Sequence, residues 1–152
     1  MLMNLDQEYW NQRYINQDTG WDLGMPSPAF TAYLSQLEKR DQKILIPGCG
    51  NAYEAEWLAE HGFKNISLID IAPDLVKTIS AKFRNVEAIR VIQGDFFEHT
   101  EKYDLILEQT FFCALDPVRR PEYVQQMNEL LSPDGKLVGL LFNRQFDTSP
   151  PF

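Results

Sequence analysis

Short apolar runs alternate with amphipathic stretches along most of the chain, which leaves few folds open to it. The runs lie at 43–46, 66–69, 88–92, 103–107 and 137–142, and several end against glycine, proline or an acid. Apolar runs of this length bounded by turn residues read as buried strands. Between them, Ser27-Pro28 opens a helix that puts Phe30, Tyr33, Leu34 and Leu37 on one face. Residues 53–61 carry Ala55, Leu58 and Ala59 on one side before Gly62 stops them. Pro73 opens a helix with Leu75, Val76, Ile79 and Phe83 at core spacing, and 121–131 is helical with Tyr123, Val124, Met127 and Leu131 inward. Pro133-Asp134-Gly135 reads as a turn into the last strand. The connection 94–102 is too short for a full crossover helix, so one helix layer is abbreviated there. The pattern predicts an α/β fold, a mainly parallel sheet of about five strands with helices on both faces. One domain, 1–152, is expected, with an aromatic leader at 1–26 and a core at 27–152.

Charge narrows the partners. With 14 basic and 22 acidic residues the chain carries a net charge of −8, which opposes binding to nucleic acid or an anionic membrane. A small-molecule substrate fits better. Cys49 and Cys113 are too few for a disulfide framework, and no pairing with His61 or His99 has metal-ligand spacing, so no metal is expected. The first ten residues lack the basic flank and apolar stretch of a secretion signal, and the run 137–142 is far too short to span a bilayer. A cytoplasmic protein is expected.

Ligands of open parallel sheets bind beyond the carboxyl ends of the strands. After the first strand come Gly48 and Gly50, whose lack of side chains lets the backbone approach a carboxylate or phosphate. Asp70 ends the second strand, 20 positions beyond Gly50, and can accept two hydrogen bonds from a ribose diol. At the third strand end, Asp95 can accept from an exocyclic amine and Phe96 offers a flat face to a base. Three successive strand ends thus point to a nucleoside-containing cofactor.

These residues resemble the class I S-adenosylmethionine-dependent methyltransferases, and within them the thiopurine S-methyltransferase group with the plant-type thiol and halide methyltransferases. The resemblance covers nearly the whole chain. It rests on Ile46-Pro47-Gly48-Cys49-Gly50, Gly94-Asp95-Phe96-Phe97, Tyr103-Asp104-Leu105-Ile106, Thr110-Phe111-Phe112-Cys113-Ala114, Leu131-Ser132-Pro133-Asp134-Gly135 and the leader from Trp10 to Trp21. It implies a Rossmann-like fold and S-adenosylmethionine as cofactor. It also implies that Trp10, Arg13, Tyr14 and Trp21 close over the site, that Gly48, Asp70, Asp95, Phe96 and the pair Glu108-Gln109 lie at the cofactor, and that Phe111 and Phe112 stand near the nucleophile. Three departures stand out. Ala52 replaces the third glycine of the common loop, and Gln109 stands where relatives often carry Tyr or Arg. Relatives also run on for a further helix and two strands after a segment like Pro150-Pro151-Phe152, so a C-terminally shortened fold is expected. That ending would leave 137–142 as a free sheet edge able to pair with a second copy.

Methyl transfer from a sulfonium is an in-line displacement, which needs a positioned nucleophile and little charged machinery. An aromatic pocket of Trp21, Phe111 and Phe112 suits a thiol, a thiopurine-like compound or a halide. Asp22 and Glu108 are the candidate bases for a thiol proton. Cys113 reads as packing, and His61 and His99 as cap or solvent contacts. Two other functions fit parts of the pattern. A nicotinamide-dependent oxidoreductase would use the first loop and Asp70, but a further phosphate-contacting glycine is missing. A noncatalytic cofactor-binding or interaction module would fit the early stop and Gln109.

Overall fold

The computed structural model describes residues 4–148, so the Pro150-Pro151-Phe152 segment lies outside the described residues. The elements follow in the order α1 (Gln7–Ile15), α2 (Pro28–Leu34), β1 (Lys43–Pro47), α3 (Tyr53–Glu60), β2 (Asn65–Asp70), α4 (Pro73–Lys82), β3 (Ile89–Gln93), β4 (Tyr103–Gln109), α5 (Arg120–Leu130) and β5 (Leu131–Leu140). All the strands pair in parallel, in the spatial order β3-β2-β1-β4-β5. The chain starts in the middle, builds outward to β3, then crosses to β4. The crevice for a ligand therefore lies above β1 and β4, where the order reverses.

Strand periodicity sorts the apolar side chains onto two faces. Ile44, Ile46, Ile66, Leu68, Leu105 and Leu107 face a layer made by Phe30 and Leu34 of α2, Ala55 and Leu58 of α3, and Leu75 and Ile79 of α4. Leu45, Ile69 and Ile106 face the other way, onto Tyr123, Met127 and Leu130 of α5. Each fully buried Leu or Ile contributes about 1.5–3 kcal/mol, so a one-residue slip of any central strand would cost several such terms.

Where a crossover helix is missing, residues 94–102 hold only the single-turn 3₁₀ helix Phe96–Glu98. Buried Gln126 of α5 stands in for the absent layer: its Nε2 donates to Phe96 O at 2.7 Å and His99 O at 2.8 Å. This is why α5 buries Gln126 and Leu130 where the sequence pattern predicted Val124 and Leu131; Val124 is 63% exposed. The expected turn at 133–135 is a bulge inside β5 instead. Tyr103 pairs with Leu131 but Leu105 with Lys136, so residues 132–135 stand opposite Asp104. A Cβ on Gly135 would lie 2.8 Å from Tyr103 O, so only glycine fits there. Ser27 precedes α2 without a cap hydrogen bond from its side chain; its backbone N–H donates to Glu54 Oε1 at 2.9 Å.

The leader is helical and packed on the core. Asp6 caps α1 through the Tyr9 N–H, and α1 packs on α4. Among the described residues, β5 pairs on one side only, and Leu137, Leu140, Leu141 and Phe142 are exposed at that end of the sheet. No described helix is long and apolar enough to cross a membrane.

Candidate active site

A cavity of about 360 Å³ opens at the strand switch point, roofed by Trp10, Tyr14 and Trp21 and floored by the ends of β1, β2, β3 and β4. Gly48 turns away from β1 with φ +55, its N–H held by Ile69 O at 2.9 Å. A Cβ there would sit 2.4 Å from Cδ2 of Phe111, so the loop after β1 and the loop after β4 touch through the missing side chain. Gly50 (φ +54) donates its N–H to Asp70 Oδ2 at 3.4 Å, while Ala72 N–H reaches Oδ1 at 3.0 Å. Asp70 is 7% exposed. Burial pushes its carboxyl up to about 6, and the backbone donors of Ala72, Gly50 and Ile71 hold it back from rising further. Tyr14 sits close to Gly50; burial, then the Asp70 charge, keeps its hydroxyl protonated.

At the third strand end, Asp95 Oδ1 takes the Phe97 N–H at 2.9 Å, and its other oxygen is uncommitted in the hydrogen bonds of the site. Phe96 lines the cavity yet is almost wholly buried, edge-on to Phe97 and Phe111 at 5.2 and 5.1 Å between ring centres. Gln109 also faces the cavity, and its buried Oε1 has no hydrogen-bond partner. An orphaned amide oxygen costs about 1–3 kcal/mol until a ligand donor meets it. Next to it Thr110 holds φ +58, a left-handed conformation strained for a β-branched residue. Ala52, in place of the third glycine, likewise adopts φ +56.

Aromatic packing fixes the roof. Trp21 meets Trp10 and Tyr14 edge-on at 5.7 and 5.8 Å, and the Arg13 guanidinium lies 5.0 Å above its ring. Arg13 is itself tied to the Asp18 carboxylate at 2.9 Å. Two further links fasten the leader to the core. Buried Asn11 bonds Asp74 of α4, and Asp22 accepts from Asn51 Nδ2, from Tyr53 OH at 3.3 Å and from Gly24 N at 2.6 Å.

The structure thus brings Trp10, Tyr14, Trp21, Gly48, Asp70, Asp95, Phe96, Gln109 and Phe111 to one cavity. Four sequence-predicted residues fall elsewhere. Gly50 and Asp22 line a smaller adjoining cavity of about 60 Å³, where Asp22 serves as a latch for the leader. Glu108 and Phe112 lie on the far side of the 110–113 loop, because alternation along β4 turns Glu108 toward α5; its Oε1 accepts the Phe112 N–H. Neither Asp22 nor Glu108 lines the main cavity as a base would. Cys49 is buried and Cys113 half-buried; burial raises both thiols, so neither is an activated nucleophile. Among the described residues no cluster of His, Cys, Asp or Glu could hold a metal. Asn11 and Thr110 were missed from sequence, as nothing local announces a partner 63 positions away or a strained φ.

Comparison with known proteins gives a consistent picture. The sequence model of the family described as thiopurine S-methyltransferase matches residues 5–152. A probable thiol methyltransferase 2 of Arabidopsis thaliana is 34% identical over 138 residues, covering 88% of this chain and 61% of the relative. Thiocyanate methyltransferase 1 of the same plant is 28% identical over 137 residues, covering 88% and 60%. Thiopurine S-methyltransferase of Vibrio vulnificus (strain YJ016) is 31% identical over 165 residues, covering 97% and 76%. The chain therefore spans about 60% of the length of the plant relatives. Among solved structures, one on the conversion of a disulfide bond into a thioacetal group during echinomycin biosynthesis superposes with TM-score 0.74 at 20% identity over 86% of this chain and 59% of that one. The glycopeptide N-methyltransferase MtfA with S-adenosylhomocysteine gives 0.64 at 13% identity over 72% and 49%. Both share the Rossmann-like fold.

Proposed function

The chain belongs to the thiopurine S-methyltransferase family, and from that premise we propose that it binds S-adenosylmethionine in the cavity above β1 and β4 and methylates a small soft nucleophile, a thiol, thiopurine-like compound or halide. The observation that carries the reading is the buried Asp70 carboxyl at the end of β2, held by Gly50 and Ala72 N–H groups and facing the cavity beneath an aromatic roof. Its remaining lone pairs suit the paired hydroxyls of a ribose. Asp95 and Phe96, at the end of β3, suit the base, and Gln109 lines the same cavity.

When bound, the cofactor would supply an electrophilic methyl group on a sulfonium, and Asp70, Asp95 and Phe96 would hold its nucleoside. The residues of the chain orient and enclose. Trp10, Tyr14 and Trp21 exclude water, and Phe111, braced against the Gly48 turn, walls the space beside the strand ends. The rings around the cavity favour loss of charge as an anionic nucleophile meets a cation. The same reading includes self-association through the free edge of β5, supported by exposed Leu137, Leu140, Leu141 and Phe142, and a reducing, cytoplasmic setting for the free thiols. Solution scattering showing a monomer at high concentration would remove the first of these.

Calorimetric titration with S-adenosylmethionine, S-adenosylhomocysteine and NAD, followed by a product screen over thiols and halides, tests the main reading. Adenosylhomocysteine binding with methylated product is expected. NAD binding in its place would point to an oxidoreductase, and cofactor binding without product from any acceptor to a noncatalytic module.

A further inference from the structure

Arg119 is the one lysine or arginine among the described residues that line the main cavity, where Asp70 and Asp95 are the acids. It ends the single-turn helix Pro117–Arg119 ahead of α5 and reaches back to the segment after β3. Its guanidinium lies 3.7 Å from the centre of the Phe97 ring. Nε and Nη2 donate to Glu122 Oε2 and Oε1 at 2.8 and 3.1 Å, which leaves Nη1 uncommitted among the described residues. The Glu122 hydrogen bond raises the guanidinium above its ordinary value, and the carboxylates of Glu122, Asp95 and Asp116 add to the rise. As a half-exposed pair three residues apart, Arg119 and Glu122 add little to stability. Together with the ring, the fork instead fixes the plane and the direction of the guanidinium. Phe97 ties this side chain to the base end of the site, because its N–H holds Asp95 Oδ1 while its ring carries Arg119.

We propose that Arg119 determines which base the cofactor carries, its free Nη1 donating to a ring nitrogen beside the exocyclic amine that Asp95 accepts. The inference rests on reading the cavity as the S-adenosylmethionine site and adds a residue to its base end. Adenine offers the matching pattern, a donor amine flanked by acceptor ring nitrogens. Asp95, with one oxygen free, supplies the acceptor and Arg119 the donor, so both halves of that pattern are met. Hypoxanthine, with a carbonyl in place of the amine, would turn a lone pair toward the Asp95 carboxylate.

The test is calorimetric titration of S-adenosylhomocysteine, its 1-deaza and 7-deaza analogues and S-inosylhomocysteine against the whole chain, Arg119→Gln and Glu122→Gln. Arg119→Gln should weaken adenosylhomocysteine about tenfold. One deaza analogue, lacking the nitrogen that meets Arg119, should bind the unaltered chain about tenfold more weakly and lose nothing further in Arg119→Gln. Glu122 does not line the cavity, so Glu122→Gln leaves its wall in place and should give a smaller loss with the same dependence on the ligand. An equal loss for adenosylhomocysteine and both deaza analogues would mark a packing role and overturn the proposal. So would inosylhomocysteine binding as tightly as adenosylhomocysteine. Failure of adenosylhomocysteine to bind the unaltered chain removes the cofactor reading and this inference together, whereas binding that Arg119→Gln leaves unchanged removes the inference alone.

Discussion

Asn11 and Asp74 hold each other by a reciprocal pair of hydrogen bonds, Asn11 Nδ2 donating to Asp74 Oδ2 at 2.7 Å and the Asp74 backbone N–H donating to Asn11 Oδ1 at 2.9 Å. Helix α4 begins at Ala72-Pro73 with no capping side chain of its own, so a residue of α1 supplies the cap from outside. Asn11→Leu would leave a helix N–H and a carboxylate without partners. A loss of about 1–3 kcal/mol is expected, seen as a lower thermal midpoint, together with weaker cofactor binding because Trp10 flanks Asn11 in the roof. Undiminished affinity in a destabilised variant would show that the roof is held by its rings alone.

The raised Asp70 carboxyl links pH to stability and to binding with opposite signs. Its folded value of about 6 exceeds the ordinary 3.8, so between these limits the folded state holds a proton that the unfolded chain has lost. Its contribution to stability is thus full below about pH 4 and is lost as pH rises through 6. Cofactor affinity should rise over the same interval, since the ionised form accepts both ribose hydroxyls. Thermal melts and titrations from pH 4.5 to 7.5, in the chain and in Asp70→Asn, check both slopes, and Asp70→Asn should flatten each (~3 pH units of scan cover the transition).

Gly48→Ala should be severe out of proportion to its size. The new methyl would meet the Phe111 ring at 2.4 Å in a backbone conformation that alanine disfavours. Stability should fall by about 1–2 kcal/mol from the backbone alone. Displacement of Phe111 should weaken cofactor binding by about tenfold or more. Gly20→Ala is the control, because nothing lies within 4 Å of its added carbon.

Thr110→Gly should act in the other direction on stability. Removing a β-branched side chain from φ +58 relieves about 1 kcal/mol, partly offset by the greater freedom of glycine in the unfolded chain. Because Thr110 lines the cofactor cavity, turnover should drop while the melting temperature holds or rises. A drop in both would mean that the hydroxyl bond to Gln109 O, at 2.7 Å, outweighs the strain.

Much of this arrangement was legible in the chain because strand ends declare themselves. Gly48, Asp70 and Asp95 each follow an apolar run, and the parallel sheet brings such positions to one edge whatever the loop lengths. Faces were harder to read. Period-two alternation says that Glu108 and Gln109 point oppositely, but which of them meets the cavity depends on where α5 packs, and that is set by Tyr123 and Met127 from a later segment. Val124 misled because helical phase was counted from apolar residues, whereas the buried stripe includes the polar Gln126, needed for the carbonyls of a loop that has no helix. The bulge at 132–135 hid behind turn residues that look the same in a hairpin and in a bulge.

The leader's attachment has a consequence for how the molecule breathes. Helix α1 is joined to the core by side-chain bonds and ring contacts and contributes no strand to the sheet. It can undock without breaking a ladder hydrogen bond, so opening of the roof is a low-energy local event, distinct from global unfolding. Amide protons of residues 7–15 should therefore exchange with solvent far sooner than those of β1 and β2, and a bound ligand should slow both, the former by closing the roof and the latter through its effect on global stability. Ligand access then depends on how the leader is fastened, while the ladder of the sheet stays intact.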